Sequence, residues 1–184
     1  MNWMHSLRNL AVGALILAAS SLSTTAFGAA YLKFDGVDGE SKAPGRTGWI
    51  DLMSCSHDIT NMRSGRAGGG GGGAGKASFS DLSFAKQYDK SSPKLAEACA
   101  SGRRFASIDI EFTELRGEVA EPYLKIKLSD CIISSYQMSS GGDRPTESLS
   151  LNFTKITWDY FFDDDTGQPA TVHGGWDLAT NKKI

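Results

Sequence analysis

FASIDIEFTEL at residues 105–115 and PYLKIKL at 122–128 decide the fold of this chain. In both stretches apolar and polar residues alternate. A period of two places successive side chains on opposite faces of a β-strand. The stretches therefore predict two half-buried antiparallel strands, whose faces are Ile108, Ile110, Phe112, Leu124, Ile126 and Leu128 against Ser107, Asp109, Glu111, Lys125, Lys127 and Ser129.

The same alternation extends over most of the chain. Clusters rich in Gly, Asp and Ser separate the alternating segments, which is typical of hairpin turns. The predicted strands lie near 31–36, 48–59, 77–88, 105–115, 122–138, 147–162 and 170–177.

The buried face changes within segment 147–162. Leu151 and Phe153 are odd-numbered, whereas Ile156 and Trp158 continue the apolar set on even numbers, so the switch lies near Lys155. A slip of one residue is how a bulge bends a sheet or moves a strand between two packed sheets. The pattern favours a closed or nearly closed barrel over a flat sheet.

One helix is predicted between residues 92 and 102. Its signals are Ser92 as cap, Pro93 in the first turn, an apolar stripe of Leu95, Ala98 and Cys99, and Gly102 as terminator. The predicted fold class is mainly β: an antiparallel two-sheet β-barrel with one flanking α-helix.

Length and charge limit the possible classes of protein. The chain has 184 residues, 40% hydrophobic, which suits one globular domain. Its net charge of −2 gives no basic field, so we do not expect a nucleic-acid partner. Three cysteines without CxxC spacing favour buried thiols over a metal site, and export would permit one disulfide among Cys55, Cys99 and Cys131.

The first thirty residues predict a signal peptide. Arg8 is followed by an apolar run from Leu10 to Ala19, which is too short to span a membrane. Small residues at 26 and 28 predict cleavage after Gly28, and cleavage after Ala30 is the alternative; an uncleaved anchoring helix is the other interpretation. The mature domain, 31–184, is expected in the periplasm or outside the cell, with no membrane attachment after cleavage.

Six consecutive glycines interrupt the strand pattern. Fixing a glycine costs about 0.5–1 kcal/mol more than fixing an alanine, so ordering the run costs roughly 3–6 kcal/mol. We call residues 61–76 the arm and expect a partner to order it.

The arm also resembles a phosphate-binding loop, but the resemblance fails at its last position. Gly70, Gly75 and Lys76 fit, whereas Ala77 replaces the hydroxyl residue that binds magnesium, and a strand follows where a helix is needed. His57 and His173 are interpreted as turn and loop residues, and Asp163–Asp165 as a hairpin turn and not a calcium loop. No catalytic residue, cofactor or metal ligand is predicted.

A longer set of residues resembles the Hcp (haemolysin-coregulated protein) family, the tube proteins of type VI secretion. The segments that carry the resemblance are Glu40-Ser41-Lys42, Ala74-Gly75-Lys76, Asp81-Leu82-Ser83-Phe84 with Lys86, Asp89-Lys90-Ser91-Ser92-Pro93, Ala98-Cys99, Ser134-Ser135, Ser140-Gly141-Gly142-Asp143, Glu147 and Leu151-Asn152-Phe153. They extend through Tyr160 and cover nearly everything from Tyr31 onward.

This resemblance implies a structural protein without enzymatic activity. It implies hexameric rings that stack into a hollow tube, with a spike protein, a contractile sheath and secreted effectors as partners. It also implies that the arm reaches a neighbouring subunit or ring, through Arg66, Gly68, Gly69, Gly70, Gly71, Gly72, Gly73, Gly75 and Lys76.

The predicted signal peptide departs from the family, whose members assemble in the cytoplasm. Two further interpretations therefore stay open at this point. The chain could be an exported, monomeric β-barrel that binds a ligand, or an Hcp-like effector carrier outside the cytoplasm.

Overall fold

The computed structural model describes residues 28–61 and 76–184. The predicted signal peptide lies outside these residues, except for Gly28 and, with the alternative cleavage site, Ala29 and Ala30. The described residues form one helix, α1 (Ser92–Ser101), and twelve strands: β1 (Ala29–Phe34), β2 (Ile50–Leu52), β3 (Ser54–Ser56), β4 (Ile59–Asn61), β5 (Ala77–Phe79), β6 (Leu82–Gln87), β7 (Arg104–Arg116), β8 (Val119–Ser139), β9 (Thr146–Asn152), β10 (Lys155–Asp163), β11 (Pro169–Asp177) and β12 (Lys182–Lys183).

The hairpin of β7 and β8 is the centre of the main sheet. Ile108 pairs with Leu128 and Ile110 with Ile126, so the alternation confirms both the strands and the face that they bury. All strand pairs are antiparallel, and along one direction the order is β12-β11-β10-β8-β7-β1-β2. From the other half of β8 the sheet continues through β9 and β6 to β3.

Strand β8 belongs to both parts of this sheet. Residues 124–129 pair with β10, and residues 132–139 pair with β9. Between β9 and β10 the chain turns at Thr154, whose N–H and hydroxyl both donate to the Ser129 carbonyl, at 3.1 and 3.2 Å. The face switch predicted near Lys155 is confirmed, but it divides segment 147–162 into two strands instead of bulging one.

The sheet curls back on itself around the core. β2 pairs with β1 and β3 pairs with β6, and only Met53 separates β2 from β3. The Met53 N–H donates to the Ala85 carbonyl at 2.8 Å, although the hydrogen-bonded ladder is interrupted there and does not close the barrel. The mainly β fold with one flanking helix is confirmed.

Some predicted bounds are wrong. Segment 48–59 forms β2, β3 and β4, and segment 77–88 forms β5 and β6, because turns at residues 53, 57–58 and 80–81 divide them. β12 was not predicted, because two exposed lysines give no apolar alternation.

The core lies between the two parts of the sheet and beneath α1. Complete burial of one large aliphatic or aromatic side chain contributes about 1.5–3 kcal/mol. Seven different strands and the helix contribute large apolar side chains with no exposed surface, among them Leu32, Phe34, Ile50, Leu82, Leu95, Ile108, Ile110, Leu128, Leu149, Leu151 and Ile156.

The helix ends as predicted and begins one residue earlier. Gly102 has φ +64°, and the Arg103 N–H donates to the Ala98 carbonyl at 3.0 Å, so the glycine terminates α1 in a left-handed conformation. Ser91, not Ser92, is the cap residue. The prediction of Ser92 as the cap was wrong because the Ser92 hydroxyl is engaged in the polar cluster described below.

Candidate assembly surfaces

The predicted interface residues lie mostly outside the described part of the chain. Arg66, Gly68–Gly73 and Gly75 are among the residues that the structure does not describe, and Lys76 is exposed just before β5. The assignment of these residues to a subunit interface therefore stays a prediction.

A two-stranded ribbon of β4 and β5 holds both ends of the arm. Asn61 pairs with Ala77 at the point where the arm leaves and returns. At the other end of the ribbon, the Ser80 N–H donates to the Asp58 carbonyl and the Asp58 N–H donates to Ser80 Oγ, both at 3.0 Å. This ribbon is a sheet of its own, so the arm emerges from a fixed base beside the main sheet.

Aromatic side chains attach the ribbon to the barrel. The His57 ring lies between Phe79 and Phe153, with centroid distances of 5.8 and 5.7 Å, and Phe79 stacks on Trp176 at 6.5 Å. His57 Nε2 and Trp176 Nε1 are buried without a hydrogen-bond partner among the described residues. Burial lowers the pKa of His57, against a smaller opposite effect of Asp58, so the neutral imidazole is favoured here.

A buried polar cluster joins α1 to the barrel. Lys86 Nζ has no exposed surface and lies 2.5 Å from Glu147 Oε2 and 2.9 Å from Asp89 Oδ1. It also donates to Ser92 Oγ at 2.9 Å, and the Ser92 hydroxyl lies 2.7 Å from Glu147 Oε2. Because a buried ammonium needs its partners, this cluster fixes the start of α1 relative to β6 and β9.

Tyr136 and Asp89 complete the cluster. The Tyr136 hydroxyl donates to Glu147 Oε1, and burial together with that carboxylate raises the pKa of Tyr136 well above its ordinary range. For Asp89, burial raises the pKa, but hydrogen bonds from Ser91 and Lys86 outweigh it, so the net pKa is lowered. The cluster therefore holds Asp89 ionised beside the Lys86 ammonium.

The outer edge of β11 is open along most of its length. β12 pairs only with Trp176 and Asp177, so among the described residues only β10 pairs with residues 169–174. Next to this edge lie exposed apolar side chains, Val172 at 58% and Tyr160 at 48%. Tyr160 contacts further aromatic rings, Tyr123 at 6.5 Å and Phe162 at 5.9 Å, so the apolar surface continues over three strands.

The outward face of the main sheet carries matched charges. Lys125 Nζ lies 3.1 Å from Glu111 Oε1, and His173 Nδ1 lies 2.6 Å from Asp159 Oδ1. His173 is thus a strand residue, in agreement with the strand predicted near 170–177, and its interpretation as a loop residue is wrong. Charged side chains form two rows across neighbouring strands, one of Lys33, Asp109 and Lys127 and one of Glu111, Lys125, Asp159 and His173.

A cleft of about 330 Å³ opens where β2, β6 and the start of α1 meet. We call it the acidic cleft, since three carboxylates and one guanidinium are among the side chains that line it. The Arg144 guanidinium lies 3.9 Å from Glu40, whose other oxygen accepts the Lys90 N–H at 3.0 Å. The lining residues are Glu40, Asp51, Leu52, Met53, Gln87, Asp89 and Arg144.

The interpretation of residues 163–167 as a hairpin turn is confirmed. Asp164 Oδ1 accepts hydrogen bonds from Thr166 and Gln168, which lowers the pKa of this carboxyl and closes the turn between β10 and β11. Within residues 28–61 and 76–184 there is no group of three or more His, Cys, Asp or Glu side chains placed to hold a metal ion. No helix in this part of the chain is long and apolar enough to cross a membrane.

The three cysteines are free thiols in the structure. Cys131 is buried, whereas Cys55 and Cys99 are half-buried. Burial raises the pKa of Cys55 to about 11 and, with a contribution from Asp130, that of Cys131 to about 12, so both thiols stay protonated at neutral pH.

Comparison with known proteins assigns this chain to a family. The family model described as "Type VI secretion system effector, Hcp" matches residues 31–160. The chain belongs to the Hcp family. Its mainly β fold is therefore that of an Hcp protein of type VI secretion, a family of structural secretion proteins.

Individual relatives support the assignment. Protein hcp1 of Pseudomonas aeruginosa is 36% identical over 155 residues, which cover 82% of this chain and 95% of that protein. Among solved structures, a "type six secretion system protein" has 31% identity and a TM-score of 0.78, covering 86% of this chain and all of the other. Hcp1 from Salmonella typhimurium has 28% identity and a TM-score of 0.70, covering 85% of this chain and 99% of its own.

The sequence predicted the family but missed the polar cluster and the acidic cleft of this Hcp chain. Lys86 occupies an even position, among the buried Leu82 and Phe84 of β6, so the alternation already signals a buried lysine. Its partner Glu147 lies sixty-one residues away and gives no local signal. The cleft combines loop, strand and helix residues, which no single pattern in the sequence connects.

Proposed function

We propose that this Hcp chain is the structural subunit of a secretion tube. Six copies form a ring, and rings stack into a hollow tube that carries effectors and works with a spike protein and a contractile sheath. The family match over residues 31–160, which include most of the barrel and all of α1, is the observation that carries this proposal.

The open edge of β11 supports ring formation. A ring needs two different, complementary surfaces on each subunit. The outward N–H and C=O groups along residues 170–174 have no strand partner within residues 28–61 and 76–184, so they are a template for pairing with another chain. The apolar Val172 and Tyr160 beside them lose water-exposed surface on contact.

The arm supports contact between subunits or rings. Its base is fixed by the β4–β5 ribbon, while its glycines make ordering costly without a partner. We assign Arg66, Gly68–Gly73, Gly75 and Lys76 to this contact. Alanines at Gly68–Gly73 are expected to weaken stacking more than folding; unchanged stacking with a lower melting temperature would contradict the assignment.

Export is the second part of the proposal, and the start of β1 favours one cleavage site. Ala29 and Ala30 pair with Thr113 and Phe112, and the Thr113 hydroxyl donates to the Ala29 carbonyl at 3.2 Å. Cleavage after Gly28 leaves this strand whole, whereas cleavage after Ala30 removes two of its ladder positions. N-terminal sequencing of the periplasmic protein is expected to show a chain that begins at Ala29. A chain that still begins at Met1 would contradict export.

Electron microscopy of the purified protein from Ala29 onward tests the assembly. Rings with a central hole are expected, and compact monomers at all concentrations would instead favour an exported ligand-binding barrel. Val172→Lys is expected to reduce the fraction of rings, because it introduces a charge beside the open edge. Met138→Lys, at a side chain of similar exposure on β8, is the matched control and should leave the rings intact.

A further inference from the structure

The acidic cleft has the chemistry of an arginine-binding site. Leu52 and Met53 line it with apolar surface, and the Met53 side chain is 61% exposed. Glu40, Asp51 and Asp89 add carboxylates. An arginine buries its aliphatic stem on apolar surface while its planar guanidinium binds carboxylates, so this combination fits arginine better than a compact cation.

The negative charge of the cleft is only partly balanced within the chain. Arg144 lies at 3.9 Å from Glu40, beyond a direct hydrogen bond, and 57% of its side chain is exposed. Asp89 shares Lys86 with Glu147, so that ammonium faces two carboxylates. Asp51 is exposed on β2, and no ion pair or hydrogen bond of its side chain lies within the described residues.

The arm is the complementary surface in this sequence. Arg63, Arg66 and Lys76 are the only charged residues from 59 to 80, so the arm is basic throughout. Arg66 is five residues beyond Asn61, where the ribbon ends, and an extended chain of that length spans at most about 17 Å. A segment of this length allows Arg66 to lie up to that distance from the end of the ribbon.

We propose that the acidic cleft binds the arm of a second copy of this chain, with Arg66, and Arg63 beside it, as the side chains that enter. The inference rests on the proposed assembly and names the surface that receives the arm. It makes the contact electrostatic: arginine and carboxylate hold two copies together, and the exposed Met53 packs against the arginine stem.

Chemical cross-linking between differently labelled copies tests the contact. Copies that carry Arg66→Lys are prepared with ¹⁴N and with ¹⁵N, mixed, and treated with a carbodiimide, which joins a lysine amine to a carboxylate without a spacer. Peptides that join residue 66 of one isotope to Asp51 or Glu40 of the other are expected. Peptides joined only within one isotope, or no link to either carboxylate, would overturn the proposal.

Charge reversal gives an independent measurement. Asp51→Lys, and separately Arg63→Glu with Arg66→Glu, are each expected to weaken association between copies about tenfold or more, as sedimentation at low salt measures it. Glu118→Lys, in the β7–β8 turn, is the matched control. A mixture of the two reversed proteins should associate again, because each arm then meets a complementary cleft; association unchanged in both variants, or not restored in the mixture, would contradict the contact.

The two proposals can fail separately. Rings that form with six copies but give no arm-to-cleft link refute this contact and leave the ring. Linked copies without any ring support the contact and refute the tube.

Discussion

Replacement of Glu147 by alanine tests the claim that the buried polar cluster fixes α1 on the barrel. The substitution removes the acceptor at 2.5 Å from Lys86 Nζ and at 2.7 Å from Ser92 Oγ, and it removes the Tyr136 hydrogen bond. Loss of one partner of a buried ion pair costs about 3–5 kcal/mol. Since Asp89 remains 2.9 Å from the ammonium, we expect the lower end, about 3 kcal/mol.

Urea denaturation and calorimetry measure this loss. For a domain of this size, about 3 kcal/mol corresponds to a melting temperature lower by roughly 6–12 °C. Protein concentration must be equal for all variants, because assembly also stabilises the folded state. Glu114→Ala removes an exposed carboxylate from its ion pair with Arg116 and should change stability by less than about 1 kcal/mol.

A small effect would refute the reasoning. If Glu147→Ala and Glu114→Ala destabilise the protein equally, the cluster does not hold the helix. Lys86→Met combined with Glu147→Leu should recover part of the loss, because apolar groups of similar volume can replace a buried pair.

Three further predictions concern local features. Because the pKa of His57 is lowered in the folded protein, the unfolded chain binds more protons below pH about 6.5, so the free energy of unfolding should fall from pH 7.5 to 5.5. Denaturation curves of His57→Phe should show a smaller fall. An equal fall in both proteins would exclude His57 as its source. Gly102→Ala should lower the free energy of unfolding by about 1 kcal/mol, because φ at this position is +64°. Gly141→Ala, at a position where an added methyl group meets no other atom, should not lower it. Equal effects of the two substitutions would show that the left-handed conformation of Gly102 is not the cause. Cys55 and Cys131 should react slowly with a disulfide reagent at pH 7 in the folded protein, and all three thiols quickly after denaturation; only one reactive thiol in denatured, unreduced protein would reveal a disulfide.

The sequence predicted the parts of the fold that depend on local periodicity. The alternation around Ile108 and Leu128 set the faces of β7 and β8, and Gly102 set the end of α1. The face switch near Lys155 was predicted as well, but its consequence was not. Whether the chain bulges or breaks there depends on the Thr154 hydrogen bonds to Ser129, which lies in another strand.

The sequence could not predict contacts between residues that are far apart in the chain and meet only in the folded sheet. Lys86 and Glu147 are adjacent only because β6 pairs with β9, and His173 faces Asp159 only through the β10–β11 register. The acidic cleft likewise requires Asp51 and Asp89 to meet across two elements. The arm is the opposite case, since its glycine run and its charges are visible in the sequence alone.

The mass of the assembly in solution tests the central claim most directly. Native mass spectrometry of the protein from Ala29 onward should show a complex of six times the subunit mass, which disappears in favour of the monomer as concentration falls. A monomer at every concentration, with the same fold and melting temperature, would contradict the account of this chain as a ring-forming secretion subunit.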